Sequence, residues 1–562
     1  MSTVDFHAIT APTPQFDTVA AEYAAIHADL DAAQQVASEI AAINRWDTLR
    51  RQLETWEALV QLRFNQDTKN EAYKQARDYC DELRPKLTEL AVAMKRRLLA
   101  SPRRAELEAH FGPQAFALWK ASITTYDPII EVDMVREAKL EAEYVELTAD
   151  VKLLFQGEEL NLSSIVKYRE HPDRAIRHEA ERLRWGWYAE NRATLDRIFD
   201  DQVKLRTSMA KKLGFDNYIG LAYQRMSRVD YNQHDVERFR AAVREYVVPL
   251  GVELRRRQAA KLGIDPLMYW DDGLYDPAGN PKPQGDHDWM IVQAQAMYDE
   301  MGYGLDSFFR LMVDGHLMDL KTRENKAGGG FCTSFPTYGV PYVYANFNGT
   351  KGDVEVLTHE IGHAFQGYMS RAQPLADYLW PTYESCEIHS MGLEFLSLPW
   401  VDKFFGAEGG ERFRRLHLEL SLLFLPYGVA VDHFQHLVYA KPEASPDERH
   451  AMWQEVEKIY LPWRNYGDLP HVATGGFWQF QRHIYLNPFY YIDYTLAQTC
   501  ALQFWVRATN NYSEAMDAYV KLCQRGGEAP FQQLARGAGL ISPFDEGCLR
   551  DVVAQAKTVL GM

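Results

Sequence analysis

The sequence predicts a mainly α-helical protein of two lobes with one small β-sheet. Apolar residues recur at helical spacing through most of the 562 residues. One short stretch, Gly328–Thr350, departs from this with aromatic and β-branched residues set between glycines and prolines, as strands require. Two helical blocks are followed by the turn-rich segment Trp270–Trp289, which reads as a surface loop or lobe boundary.

The first block runs from Phe16 to Tyr126, with helices expected over Thr18–Ile43, Arg50–Phe64, Glu71–Leu99 and Arg104–Ser122. Pro102 and the pair Gly112-Pro113 mark joints, and Pro85 is placed to kink the third helix. The second block covers Asn161–Leu262 with amphipathic helices at His171–Tyr188, Arg192–Leu213 and Val236–Lys261. After a helix near Met290–Tyr303, the runs Phe331–Phe335 and Tyr342–Phe347 predict short strands, the second either an ordinary core strand or a sheet edge able to pair with an extended peptide. Helices resume from Asp353, interrupted at Tyr466–Phe477, where Gly475-Gly476 marks a linker, hinge or close-approach loop. The expected division is an N-terminal helical region over 1–160 and a second region over 161–562, with an inner boundary near 270–290.

Composition narrows the function classes. A net charge of −17 argues against a nucleic-acid backbone as partner. Six widely spaced cysteines without a CxxC pair read as reduced thiols of a cytoplasmic protein. No run of 18 apolar residues and no signal-peptide pattern is present, so no membrane partner is expected.

His359-Glu360-Ile361-Gly362-His363 carries the chemistry. Imidazoles four residues apart stand one helical turn from each other and can share one ion, with Glu360 facing the same site as a general base. The helix expected over 353–367 is buried by Val354, Leu357, Ile361, Ala364 and Phe365, with capping side chains at Thr350–Asp353. Buried paired histidines need partners, which points to a metal rather than two core histidines. A catalytic zinc takes three protein ligands and leaves one position open. On the next helix, bounded by Pro381 and Pro399, Glu384, Glu387 and Glu394 lie on one otherwise apolar stripe. Helical geometry does not choose between Glu384 and Glu387 as ligand. Glu394 is placed to hold a histidine ring by its second nitrogen. His389 lies off that stripe, and Cys386 reads as a packed residue.

The motif helix, Glu387–Glu394, Gly328–Cys332 and Pro488–Tyr494 together resemble oligoendopeptidase F, within the larger thimet oligopeptidase-like family of zinc metallopeptidases. The likeness covers Asn161 to the C-terminus well and the first helical block loosely. It implies one Zn2+ held by His359, His363 and Glu387, with Glu360 as general base. The family's ligand glutamate is followed seven residues later by a supporting glutamate, which maps onto Glu387 and Glu394 and so selects Glu387. From the segment Arg482–Tyr494 the resemblance takes His483, Tyr491 and Tyr494, with Tyr490 beside them, as donors to the scissile carbonyl. It further implies a deep channel between the lobes that admits short unfolded peptides. No organic cofactor is expected, and similar ligands can take cobalt or manganese.

Two rivals remain. A zinc carboxypeptidase can carry the same helix, and a non-catalytic peptide-binding protein can keep a degenerate site, although it has no need of Glu360. A purely structural zinc site is disfavoured, because no closed, cysteine-rich set of four ligands is visible.

Overall fold

The computed structural model describes residues 4–149 and 151–562. The fold is mainly helical, as the sequence predicts, and falls into two compact units that the chain enters repeatedly. The first comprises Met1–Ile123, Lys282–Glu411 and Cys500–Ser542; the second comprises Thr124–Pro281, Arg412–Thr499 and Pro543–Met562. No helix among the described residues is long and apolar enough to cross a membrane.

In the first unit, Phe16–Ala32 and Val36–Gln66 form two helices where Thr18–Ile43 was expected to be one. No glycine or proline marks that break. It is set by packing, since Tyr23, Ile26 and Leu30 close against Ile43 and Trp46 in one core that also takes in Trp119 and Tyr378. Pro85 sits inside the helix Glu71–Leu99 without ending it. A half-buried ion pair and two hydrogen bonds tie this block to the turn ahead of the helix Tyr383–Leu396. Arg50 Nη1 lies 2.7 Å from an Asp377 oxygen, Trp119 Nε1 donates to Asp377 at 3.0 Å, and the Ala376 amide donates to Asp47 at 2.7 Å.

The small sheet also belongs to the first unit. Its strands are β3 (Met318–Lys321), β4 (Phe331–Phe335) and β5 (Val340–Phe347), in the order β3-β5-β4. β5 runs parallel to β3 and antiparallel to β4. Of the two places open to Tyr342–Phe347, the structure gives the core strand and not the sheet edge: it lies in the central strand, nearly all of it buried, and the outer strands are β3 and β4. β3, which carries little local signal, supplies the missing partner. A hairpin of β1 (Leu153–Phe155) and β2 (Glu158–Leu160) in the second unit was equally silent. Its turn residues Gln156 and Gly157 both have positive φ, as a tight hairpin needs.

The second unit is built from Glu131–Ala149, Arg174–Glu190, Arg192–Lys212, Val248–Leu262, the part of Asp402–Ala440 from Arg412 onward, and Pro446–Tyr460, joined by shorter elements. Gly475 and Gly476 form a close-approach turn here. A Cβ on Gly475 would stand 2.1 Å from the His450 carbonyl oxygen, and one on Gly476 2.3 Å from the His471 ring.

Candidate active site

The helix Lys351–Met369 buries Val354, Leu357, Ile361, Ala364 and Phe365. Asp353 ties down the loop before it by accepting from the Asn348 and Gly349 amides. The helix Tyr383–Leu396 packs directly across it. A Cβ at Gly362 would meet the His389 carbonyl oxygen at 2.5 Å and Ser390 Cα at 2.7 Å, so only glycine allows the two backbones this close.

That approach brings the predicted ligand set together. Glu387 Oε2 lies 3.3 Å from His359 Nε2 and 3.4 Å from His363 Nε2. Ligand atoms on a tetrahedral ion with bonds of 2.0–2.1 Å stand about 3.3–3.4 Å apart, so a zinc ion fits this spacing. Glu394 Oε1 sits 2.7 Å from His359 Nδ1, which commits that nitrogen and leaves Nε2 for an ion. Ser390 Oγ donates to Glu387 Oε2 at 3.0 Å. Glu384 points its Oε1 at the Thr382 hydroxyl, 3.0 Å away. His389 is fully buried, and Tyr519 donates to its carbonyl oxygen.

The electrostatics agree with a cation site. Burial raises the Glu387 carboxyl, but the charge of His363 and hydrogen bonds from both imidazoles hold it well below the usual carboxylate range. Burial likewise works against a charged His359, yet hydrogen bonds to Glu387 and Glu394 hold it well above the ordinary histidine value. Glu360 is only 7% exposed, and its Oε2 has no hydrogen-bond partner. Burial pushes its pKa up, against the pull of both histidines. The segment entering β4 passes over this carboxyl, the Cβ position of Gly330 standing 3.5 Å from Glu360 Oε1.

The other candidate residues gather in the second unit. The His483 ring lies 5.1 Å from Tyr491, 5.7 Å from Tyr494 and 5.9 Å from Tyr490, centre to centre. Tyr490 and Tyr494 are 4.9 Å apart. Burial raises the Tyr491 hydroxyl far above its ordinary value, so it stays a proton donor. Two residues that the sequence did not flag orient this cluster. Tyr427 donates to Gln481 Oε1 at 2.5 Å, which leaves Gln481 Nε2 facing His483 Nδ1 at 2.7 Å. An amide donating there fixes the tautomer with the proton on His483 Nε2, a second hydrogen-bond donor. A glutamine and a distant tyrosine carry no local motif by which to find them.

Residues 6–126 match the peptidase M3 N-terminal domain, and residues 167–553 match peptidase family M3. The chain belongs to peptidase family M3. Solved M3-like structures agree over essentially the whole length. The complex of PZ peptidase A with an inhibitor is 42% identical, covers 99% of each chain and superposes with a TM-score of 0.94. A protein assigned as oligoendopeptidase F is 43% identical with the same coverage and TM-score. Another so assigned, from Bacillus anthracis str. Ames, is 42% identical over 99% of this chain and 98% of its own, with a TM-score of 0.89. No curated protein gives a match. This M3 peptidase is therefore oligoendopeptidase F-like, and its first helical block belongs to the family as well.

Proposed function

We propose that this peptidase is a zinc-dependent oligoendopeptidase that hydrolyses internal bonds of short unfolded peptides. The observation that carries the reading is Glu387 Oε2 facing both imidazole Nε2 atoms at zinc-ligand spacing, with His359 Nδ1 committed to Glu394. His359, His363 and Glu387 would hold the ion. When bound, zinc supplies a Lewis acid that polarises a carbonyl and acidifies water.

Glu360 serves as the base. Its Oε2, buried and without another partner, takes the proton of the attacking water and passes it to the departing amide nitrogen. His483 Nε2–H and the hydroxyls of Tyr491, Tyr494 and Tyr490 donate to the carbonyl oxygen as charge builds there. Each such donor is worth about 3–4 kcal/mol. Their action on the same carbonyl as Glu360, and the restriction to short peptides through a deep channel, rest on the family resemblance. As the outer strand on the Gly330 side, β4 takes over from β5 as the strand that receives the extended peptide backbone.

A peptide-length series, run with and without chelator and read by product mass, tests the reading. Internal cuts in short peptides, lost on chelation and restored by zinc, are expected. Release of C-terminal residues alone would identify a carboxypeptidase; undiminished turnover after chelation would overturn the metal reading. The supporting glutamate has its own test. Glu394→Ala is expected to weaken zinc binding by roughly 10–100-fold, measured by competition with a chromophoric chelator. Unchanged affinity would remove Glu394 from the support of His359.

A further inference from the structure

Phe489, immediately before Tyr490 and Tyr491, has φ +67°, a left-handed conformation that bulky L-residues avoid. Buried side chains hold it there at both backbone groups. Its N–H donates to Gln435 Oε1 at 2.8 Å, and its carbonyl accepts from Arg228 Nη2 at 2.5 Å. The ring is fixed as well, 4.9 Å from His436 and 5.5 Å from Tyr439. Arg228 Nη2 also donates to Asp493 Oδ1 at 2.8 Å, between side chains that are both fully buried. One guanidinium thus grips the carbonyl ahead of the tyrosines and a carboxylate lying between Tyr491 and Tyr494.

The pair is a costly way to join two elements. Arg228 Nε and Nη1 and Asp493 Oδ2 find no hydrogen-bond partner, and the guanidinium leans instead on the Tyr223 ring at 4.4 Å. Such an under-bonded buried ion pair contributes little net stability, and well-packed apolar residues commonly replace one without loss. What apolar residues cannot supply is a donor that fixes a left-handed carbonyl and a helix's first turn together. The geometry points to Arg228 and Asp493 as positioning residues, which with Gln435 set the left-handed turn at Phe489 and so aim Tyr490, Tyr491 and Tyr494.

This inference rests on the proposed role of the tyrosines as donors, and the test separates the two. The doubly apolar variant Arg228→Met/Asp493→Leu is compared with Tyr491→Phe/Tyr494→Phe and with the fourfold combination, on a short quenched peptide. The Met/Leu variant is expected to keep or raise Tm and to bind one zinc per chain. Its kcat is expected to fall at least tenfold with little change in KM, and the loss is expected to shrink sharply in the Phe/Phe background. Unchanged kcat in the Met/Leu variant, or a loss equally large with and without the hydroxyls, would overturn the positioning role. Unchanged kcat in Tyr491→Phe/Tyr494→Phe would overturn the tyrosine reading on which it rests. If the Met/Leu variant fails to fold, Gln435→Met removes the acceptor at the Phe489 amide, together with one bond from Nε2 to the Val431 carbonyl of its own helix, and is read by the same criteria.

Discussion

Replacing Glu360 by Gln is expected to lower kcat/KM on a short peptide by about 10²–10⁴-fold, the usual worth of a general base. Zinc binding at one ion per chain is expected to survive. The amide keeps the size and shape of the carboxyl, and the three ligand atoms on His359, His363 and Glu387 remain. What disappears is the lone-pair basicity of Oε2, an atom with no competing hydrogen-bond partner. The same variant is expected to be at least as stable as the parent. Burial is the largest influence on this carboxyl and disfavours its charge, so exchanging it for a neutral group removes a cost. Loss of activity with Tm held or raised distinguishes removal of a base from general damage. Turnover above a tenth of the parent's, with zinc bound, would exclude Glu360 as the base.

How much of this was legible in the sequence depended on the separation of the interacting groups. His359, Glu360 and His363 are one turn of one helix, so their convergence follows from helical spacing alone. Glu384 and Glu387 share a stripe on another helix, and periodicity could not rank them. The family resemblance selected Glu387, and the close crossing at Gly362 gives the physical reason, turning Glu387 to both imidazoles while Glu384 meets Thr382. The strand Val340–Phe347 announced itself by composition, yet its central place depends on β3, a short segment with no pattern of its own. Gln481 and Tyr427 are 54 residues apart, and Arg228 and Asp493 265 apart. Nothing local in either pair signals the other, because one buried hydrogen bond leaves no periodicity behind. The mainly helical class was readable because many weak local preferences agree. The partners that orient the site were not, because each is a single long-range contact.

Gly362→Ala is expected to disturb the metal site without altering a ligand or the base. In a helix interior, glycine to alanine ordinarily gains about 1 kcal/mol. Here the new Cβ would lie 2.5 Å from the His389 carbonyl oxygen and 2.7 Å from Ser390 Cα, and both are backbone atoms that no rotamer change can move aside. The helices Lys351–Met369 and Tyr383–Leu396 must separate toward the 3.4 Å of ordinary contact, and the strain of such overpacking is about 1–3 kcal/mol. The larger effect falls on the metal. Glu387 rides on the helix that is pushed away, so the 3.3 and 3.4 Å spacings to His359 and His363 widen, whereas metal–ligand distances tolerate only about 0.2 Å. A loss of zinc affinity of about 100-fold is expected, with activity partly recovered at high zinc. Gly367→Ala supplies the contrast on the same helix. There the nearest group is the Trp380 ring at 3.2 Å, a side chain able to give way, so its affinity is expected to stay near the parent's. Equal zinc affinities for Gly362→Ala and Gly367→Ala, measured by competition with one chelator, would show that the close helix crossing does not set the ligand geometry.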